Sequence, residues 1–341
     1  MIDCLMNNFI QSKPYDYVKF KEYLQEAVKT NQWSNYGWAV QELEERARHL
    51  LKIDGTKAII ATNSGTSALH AIVHGMRKHD NENHRVTTQN FTFPSASLGP
   101  CAGPIVVDFD GDLNIEMRDS FLVNYGKIVI VTNCFGHLQN IEYIIDQAVK
   151  LDKYIIFDNA ATPYSFYKEY NSCNYGHASF VSLHHTKPIG FGEGGLAIVD
   201  RAFEKSVREA INFGYDDDYR FDERSSNFKM SEISAAGILQ WWDQFEINDM
   251  MKTYQENYYK AHYKLVLEKK GRPYPNHSDE NFLPFVLPWI YDEENPVSSF
   301  DHVVSKKYYK PLRFNDPAFP NSNIIYDRIL CYPVHGDITY D

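Results

Sequence analysis

Paired cysteines are the first thing missing. The chain of 341 residues has five, Cys4, Cys101, Cys134, Cys173 and Cys331, with no C-x-x-C pair and no zinc-type spacing. An odd, scattered set argues against a disulfide framework or a structural zinc site and fits reduced thiols in the cytoplasm. Long apolar runs are missing too. No stretch approaches the roughly 18–20 apolar residues of a membrane helix, and the start, Met1-Ile-Asp-Cys-Leu-Met-Asn-Asn, has neither the basic region nor the apolar core of a secretory leader. Positive charge is scarce: 34 Lys and Arg stand against 45 Asp and Glu, a net charge of −11. That argues against a protein that grips nucleic-acid backbones, although a local cradle can still hold a small phosphorylated ligand. No G-x-G-x-x-G follows the first β-like run, which ranks a nicotinamide-dependent oxidoreductase last. Low-complexity segments and internal repeats are absent. These absences describe a soluble, cytoplasmic protein with no membrane and no nucleic-acid partner.

What is present is core material. Hydrophobic residues make up 43% and aromatics 15% of a length that suits one large domain and one small one. The expected division is 1–245 for the N-terminal region with the large domain and 246–341 for the small C-terminal one. Residues 18–30 and 38–52 have the spacing of amphipathic helices. From 58 to about 200, short β-runs alternate with helical stretches: Ala58–Thr62, Ile105–Asp108, Lys127–Thr132, Tyr154–Asp158, Ser179–His184 and Leu196–Val199. Such alternation predicts an α/β fold whose mostly parallel sheet is covered by helices. Ser231–Glu246 has helical spacing against a core, and Tyr254–Lys270 reads as a long helix leading to the small domain. Asn276–Asn281 and Asp316–Asn323 read as loops.

The chemistry concentrates in three places. Lys187 lies in the run Ser182-Leu-His-His-Thr-Lys187-Pro-Ile-Gly-Phe-Gly192-Glu-Gly-Gly195. Asp158 ends the apolar run Tyr154-Ile-Ile-Phe-Asp158. Between β-like and helical patterns stands Asn63-Ser64-Gly65-Thr66-Ser67, with Thr66 and Ser67 as candidate caps. A lysine amine can hold an aldehyde covalently, a carboxylate can keep a pyridinium nitrogen protonated, and a helix start with hydroxyls can hold a phosphate. Singly, each has an ordinary explanation as a loop lysine, a turn aspartate or a capped helix. Together, in this order, they supply what pyridoxal phosphate requires. Metal is rejected. His184 and His185 are adjacent, and neighbours on a strand point to opposite faces. The triplet Asp216-Asp217-Asp218 has no partner pattern and reads as a solvated loop.

At these residues the chain resembles the DegT/StrS family of sugar aminotransferases, which are fold-type I pyridoxal phosphate enzymes. The lysine run is similar to the family's SFHxTK…GEGG segment, Phe157-Asp158-Asn159-Ala160-Ala161 to EDAAQ, and Gln89-Asn90-Phe91-Thr92-Phe93 to PSFTF. Asn227-Phe228-Lys229-Met230-Ser231-Glu232 is similar to NYRMSE. Ser34-Asn35-Tyr36-Gly37, Tyr308-Tyr309-Lys310-Pro311-Leu312 and Leu330-Cys331-Tyr332-Pro333-Val334-His335 follow the family's remaining segments in order.

The resemblance implies a large domain with a seven-stranded type of sheet, a smaller C-terminal α/β domain and a homodimer. It implies that Lys187 and Asp158 are catalytic. Ser64, Gly65, Thr66, Ser182 and, from a neighbouring chain, Asn227 would hold the cofactor phosphate, with Phe93 stacked on the ring. Asn35, Tyr36, His185, Glu193, Lys229 and His335 would meet the substrate. The implied reaction takes an amino group from glutamate to a nucleotide-linked keto sugar. The Gly192-Glu193-Gly194-Gly195 form looks more like the branch that aminates C4 of a 4-keto-6-deoxyhexose, giving a viosamine- or perosamine-type product, than the C3 branch. Ala161 stands where the family has a Gln that contacts the cofactor's phenolic oxygen. Lys229 replaces an Arg, Pro188 directly follows the lysine, and the chain ends soon after His335. These departures keep two alternatives open, a C3-aminating enzyme and a cofactor-binding regulatory protein that has lost catalysis. A sugar 3-dehydratase would carry His in place of Lys187.

Overall fold

The β-like runs assemble into one seven-stranded sheet in the computed structural model, which describes residues 8–109, 114–115, 125–274 and 281–340. Its strands are β1 (Lys57–Thr62), β2 (Val86–Gln89), β3 (Ile105–Val107), β4 (Ile128–Thr132), β5 (Tyr154–Asp158), then, past a short hairpin of β6 (Phe166–Tyr167) and β7 (Tyr170–Asn171), β8 (Ala178–Ser182) and β9 (Gly195–Asp200), in the order β1-β9-β8-β5-β4-β2-β3. From β3 to β8 all pairings are parallel, while β9 runs antiparallel to both its neighbours. The sheet is mostly parallel, as expected.

Both faces of the sheet are covered, which is why its strands are largely buried along their length rather than alternating between core and solvent. Along β1, Ile59 and Ala61 enter one core cluster and Ala58 and Ile60 the other. Residues Leu196 and Ile198 of β9 divide from Ala197 and Val199 in the same way. Helices Trp38–Leu50, Glu232–Trp242 and Ile247–Glu268 close the first face, and Gly65–Asp80 with Arg201–Ala210 close the second. Ile141–Lys150 covers the sheet near β4 and β5 through Ile141, Ile144 and Ala148. A second, three-stranded sheet is antiparallel: β10 (Gly271–Pro273), β11 (Val286–Tyr291) and β12 (Ile329–Pro333), with β11 central.

The structure corrects several boundaries. The long helix begins at Ile247 rather than Tyr254. The fifth expected run stops at Ser182, so His184 lies beyond the strand. The region expected as a loop at Asp316–Asn323 turns helical at Pro320, where a fixed φ and a missing N–H suit the first helical turn. The loop expected at 276–281 lies outside the described residues except for Asn281. Six strands, β2, β6, β7, β10, β11 and β12, are not separated by the pattern. In β11, Pro288 interrupts the run Val-Leu-Pro-Trp-Ile-Tyr, and a proline ordinarily argues against a central strand.

A buried carboxylate is among the contacts that tie the N-terminal segment to the later helices. The helix Trp38–Leu50 starts at Gly37, which has no side chain to cap it. Glu232, fully buried, supplies the cap from across the fold, accepting from the N–H groups of Ala39 at 2.7 Å and Val40 at 3.3 Å. A Cβ at position 37 would sit 2.6 Å from the Glu232 carboxyl carbon, so glycine is what lets the carboxylate in. Burial pushes this carboxyl up, and the N–H donors oppose that shift. Glu232→Ala strands buried donors and is expected to cost about 1–3 kcal/mol in urea unfolding; an unchanged midpoint would contradict the capping role.

Candidate active site

The C-terminal ends of neighbouring parallel strands are where open α/β sheets place their sites. Thr132 ends β4, Asp158 ends β5 and Ser182 ends β8. All three line a single cavity of about 530 Å³, together with Ser64, Gly65, Thr66, Phe93, Lys187 and Glu193. Asp158 is buried. Its Oδ1 accepts from the Ala160 N–H at 3.0 Å and its Oδ2 from the Thr132 hydroxyl at 3.4 Å. Thr132 is itself 2.6 Å from the hydroxyl of Thr92. Burial raises the Asp158 carboxyl to about 6, against the pull of the Ala160 N–H, Lys187 and Thr132. Burial lowers the Lys187 amine to about 8, against the attraction of Asp158. The Lys187 Nζ stands 4.2 Å from the centroid of Phe285. An amine brought down this far is partly neutral near pH 7 and can act as a nucleophile.

The helix Gly65–Asp80 points its first turn at the same cavity. The cap is Ser64, not Thr66 or Ser67: it is extended, and its Oγ accepts from the Ser67 N–H at 3.1 Å and meets the Ser67 hydroxyl at 2.9 Å. Capping needs the hydroxyl one position before the helix, where it reaches back to the third N–H. The N–H groups of the first turn have no partner within the helix and carry its positive end. Gly65 has a use beyond close approach of a ligand. A Cβ there would lie 2.9 Å from the Ser182 Cβ, so the glycine lets the helix start and the end of β8 meet. Gly65→Ala forces these apart and is expected to weaken pyridoxal phosphate binding about tenfold, read by equilibrium titration; unaltered affinity would show that the helix start plays no part.

Phe93 lines the cavity and is 54% exposed, whereas Phe91 two residues earlier is fully buried. The Phe93 ring is thus free of core packing. Of the two histidines, His184 lines the cavity, with Nδ1 2.8 Å from the Thr186 hydroxyl and Nε2 3.4 Å from Glu193. His185 does not; its ring packs on Phe191. His335 also lies elsewhere, buried with its Nε2 3.0 Å from the Asn8 carbonyl. Asn35, Tyr36 and Lys229 line a separate hollow of about 240 Å³ with Arg208 and Asn212. There the Tyr36 hydroxyl donates to Glu44 at 2.9 Å, and Lys229 donates to Asn212 at 2.5 Å. Asn227 is exposed and lines neither.

Several lining residues had no assigned role: Asn133, Phe180, His184, Thr186, Phe285, Tyr308 and Tyr309. Asn133 was within reach of the pattern, since it follows the apolar run of β4 directly. Phe285 comes from the second sheet's approach, and no local signal ties it to Lys187. The Asp216–Asp218 triplet is a surface feature: Asp216 and Asp218 pair with Arg220, and Asp217 with Lys205. Among the described residues no cluster of His, Cys, Asp and Glu could hold a metal ion, and no helix is long and apolar enough to cross a membrane.

The model of the DegT/DnrJ/EryC1/StrS aminotransferase family matches residues 14–341. The chain belongs to that family. It is a pyridoxal-phosphate-dependent aminotransferase. A dTDP-4-amino-4,6-dideoxy-D-glucose transaminase of Shigella dysenteriae is 24% identical to it over 95% of this chain and 92% of that protein. A GDP-perosamine synthase of Caulobacter vibrioides is 25% identical over 63% of this chain and 59% of that protein. The structure of DesI in the presence of its TDP-sugar product superposes with a TM-score of 0.81 at 19% identity, covering 99% of this chain and 91% of that one. Pseudoaminic acid biosynthesis aminotransferase PseC of Helicobacter pylori follows at 0.77 and 16% identity, covering 97% and 95%. These likenesses give the fold, a fold-type I α/β architecture. The donor set fits the cofactor: a buried carboxylate, a buried amine and a helix start face one cavity, and a Cβ at Gly65 would crowd the helix start against β8.

Proposed function

We propose that the enzyme is a cytoplasmic homodimer that moves an amino group from glutamate to C4 of a nucleotide-linked 4-keto-6-deoxyhexose. The observation that carries this reading is the buried pair Lys187 and Asp158 facing one cavity beside a helix start. The names of the Shigella and Caulobacter relatives and the Gly192-Glu193-Gly194-Gly195 form support C4 and the nucleotide-linked sugar.

Bound pyridoxal phosphate supplies an aldehyde that carries the amino group and a ring that takes up electrons when a C–H bond breaks. In this reading Lys187 Nζ would hold the cofactor's aldehyde, and when freed by the donor amine it would serve as the base that removes the proton from the donor's Cα and the acid that returns one, with the two roles exchanged for the sugar. Asp158 keeps a proton on the ring nitrogen, and the hydroxyls of Thr132 and Thr92 behind it fix the carboxylate. The N–H groups of Gly65 and Thr66 with the Ser182 hydroxyl hold the phosphate, and Ser64 secures the helix start that presents them. Phe93 covers the ring. Glu193, with His184 beside it, stands where a sugar would enter. Asn227, Asn35, Tyr36 and Lys229 act on the neighbouring chain's site, which suits their lying outside the lining of the Lys187 cavity in their own chain.

Mixing two inactive variants tests the shared site. In heterodimers of Lys187→Ala with Asn227→Asp chains, one site carries both lesions and the other neither, because the added carboxylate repels the phosphate only across the interface. Activity is expected to return in the mixture; mixed dimers that stay dead, or an active monomer, would overturn the shared site. The position of amination is read by incubating the enzyme with glutamate and a dTDP- or GDP-linked 4-keto-6-deoxyhexose and locating the amine by NMR. An amine at C4 is expected. Turnover only of 3-keto sugars would replace the reading with C3 amination.

A further inference from the structure

The loop that presents Lys187 is held from behind by an amine of its own chain. Lys13 lies in the segment before the first helix, and its Nζ donates to the carbonyl oxygens of His185 at 2.7 Å, Lys187 at 2.6 Å and Gly190 at 2.5 Å. An ammonium group has three protons, and here each finds one carbonyl. The Nζ also stands 5.4 Å from the centroid of the Trp241 ring, within the range of a cation–π contact. The indole of Trp241 donates to the Pro188 carbonyl at 3.3 Å and that of Trp242 to the Ile189 carbonyl at 2.7 Å. Carbonyls of residues 185, 187, 188, 189 and 190 are therefore all engaged by these three side chains. Lys13 does not line the cavity.

We propose that Lys13 is a positioning residue for the amino-transfer reaction: a chain-borne cation, seated in a cage of backbone carbonyls, that fixes the loop from which Lys187 reaches the cofactor. The inference rests on Lys187 being the covalent anchor. Lys13 carries out no chemistry itself. Its protons neutralise carbonyl dipoles that would otherwise crowd one another in a dry site, and so hold the backbone on both sides of residue 187 in one geometry. Burial pulls the Lys13 amine down to about 7, and the converging carbonyl oxygens oppose that shift because they favour the protonated form. Cages of backbone carbonyls at this range are also how proteins replace the hydration shell of potassium. Position 13 thus plays the part that a bound monovalent cation could play.

Two variants test this. Lys13→Met keeps the packing and removes every donor. Lys13→Ala leaves space beside the three carbonyls for an ion. Each purified chain is mixed with pyridoxal phosphate, and the covalent bond at Lys187 is followed by borohydride reduction and mass spectrometry. The wild-type chain run alongside shows whether that bond forms at all; if it does not, the reading of Lys187 fails first and separately. Both variants are expected to form the bond about tenfold to a hundredfold more slowly than wild type. Lys13→Ala, but not Lys13→Met, is expected to regain rate in potassium chloride relative to sodium chloride at equal ionic strength. Lys13→Arg, which keeps charge and donors, is expected to lie closer to wild type than Lys13→Met. Wild-type rates in both neutral variants would overturn the proposal. So would a loss that follows the unfolding midpoint alone, with no recovery in potassium and no advantage for Lys13→Arg.

Discussion

Lys187→Ala is expected to bind pyridoxal phosphate, form no bond to it that borohydride can trap, and turn over about 10²–10⁴-fold more slowly than wild type. The first part follows from the rest of the cavity, since the helix start at Gly65, Ser182, Phe93 and Asp158 does not depend on the amine. The second and third follow from burial. Among the described residues of the chain Lys187 is the one lysine that lines the cavity, so within one chain no second amine stands ready to hold the aldehyde or carry the proton between carbons. The neighbouring His184 is close, but it is engaged with Thr186 and Glu193. Near-normal turnover would mean that the proton is carried elsewhere, and the cavity would lose its central residue.

Asp158→Asn separates catalysis from stability and is expected to move them in opposite directions. An amide can still accept a hydrogen bond but cannot stabilise a charged ring nitrogen as a carboxylate does. Turnover is therefore expected to fall about 10²-fold or more, roughly 2.7 kcal/mol of barrier. Without cofactor the carboxylate is a burden, because burial raises it from 3.8 to about 6. Between those values the folded chain binds a proton that the unfolded chain does not. The stability this carboxyl allows is fully present below 3.8 and is lost as pH rises through 6. At pH 8 the cofactor-free Asn variant is expected to be about 1–2 kcal/mol more stable than the cofactor-free wild type. That advantage should shrink as pH falls below 6. The comparison is a pair of urea unfolding curves at each pH. An Asn variant that is less stable at pH 8, or that works at the wild-type rate, would show that the buried carboxylate is not held in reserve for the ring nitrogen.

The parts of this site that could be read from the sequence are those whose chemistry is local. Asp158 could be placed because a β-run ends on it, and strand ends face the site in an open α/β sheet. Lys187 could be placed because glycines crowd the run that follows. The pattern offers Thr66 and Ser67 as caps, two and three positions past the Ser64 that fills the role, since Ser64, Thr66 and Ser67 are all capping residue types and only the backbone shows which one is extended. His184 and His185 were treated as strand neighbours with opposite faces. The strand ends at Ser182, so the facing rule does not reach them, and His184 is the one at the cavity. Phe285 and Tyr309 enter from residues far along the chain, through packing that no periodicity encodes. His335 carries a polar ring that a sequence reading offers to a substrate, yet burial against Asn8 uses it for folding. Lys13 gives no signal at all: a lysine before a proline reads as solvated, and its three acceptors are backbone oxygens more than 170 positions away.

The absorption spectrum of the purified enzyme, loaded with pyridoxal phosphate and then given glutamate, tests the central claim most directly. The account predicts a visible band from cofactor bound at Lys187, which glutamate moves to the shorter wavelength of the aminated cofactor and which a keto acid restores. A protein that stays colourless after incubation with pyridoxal phosphate, or whose band glutamate leaves unchanged, would contradict it.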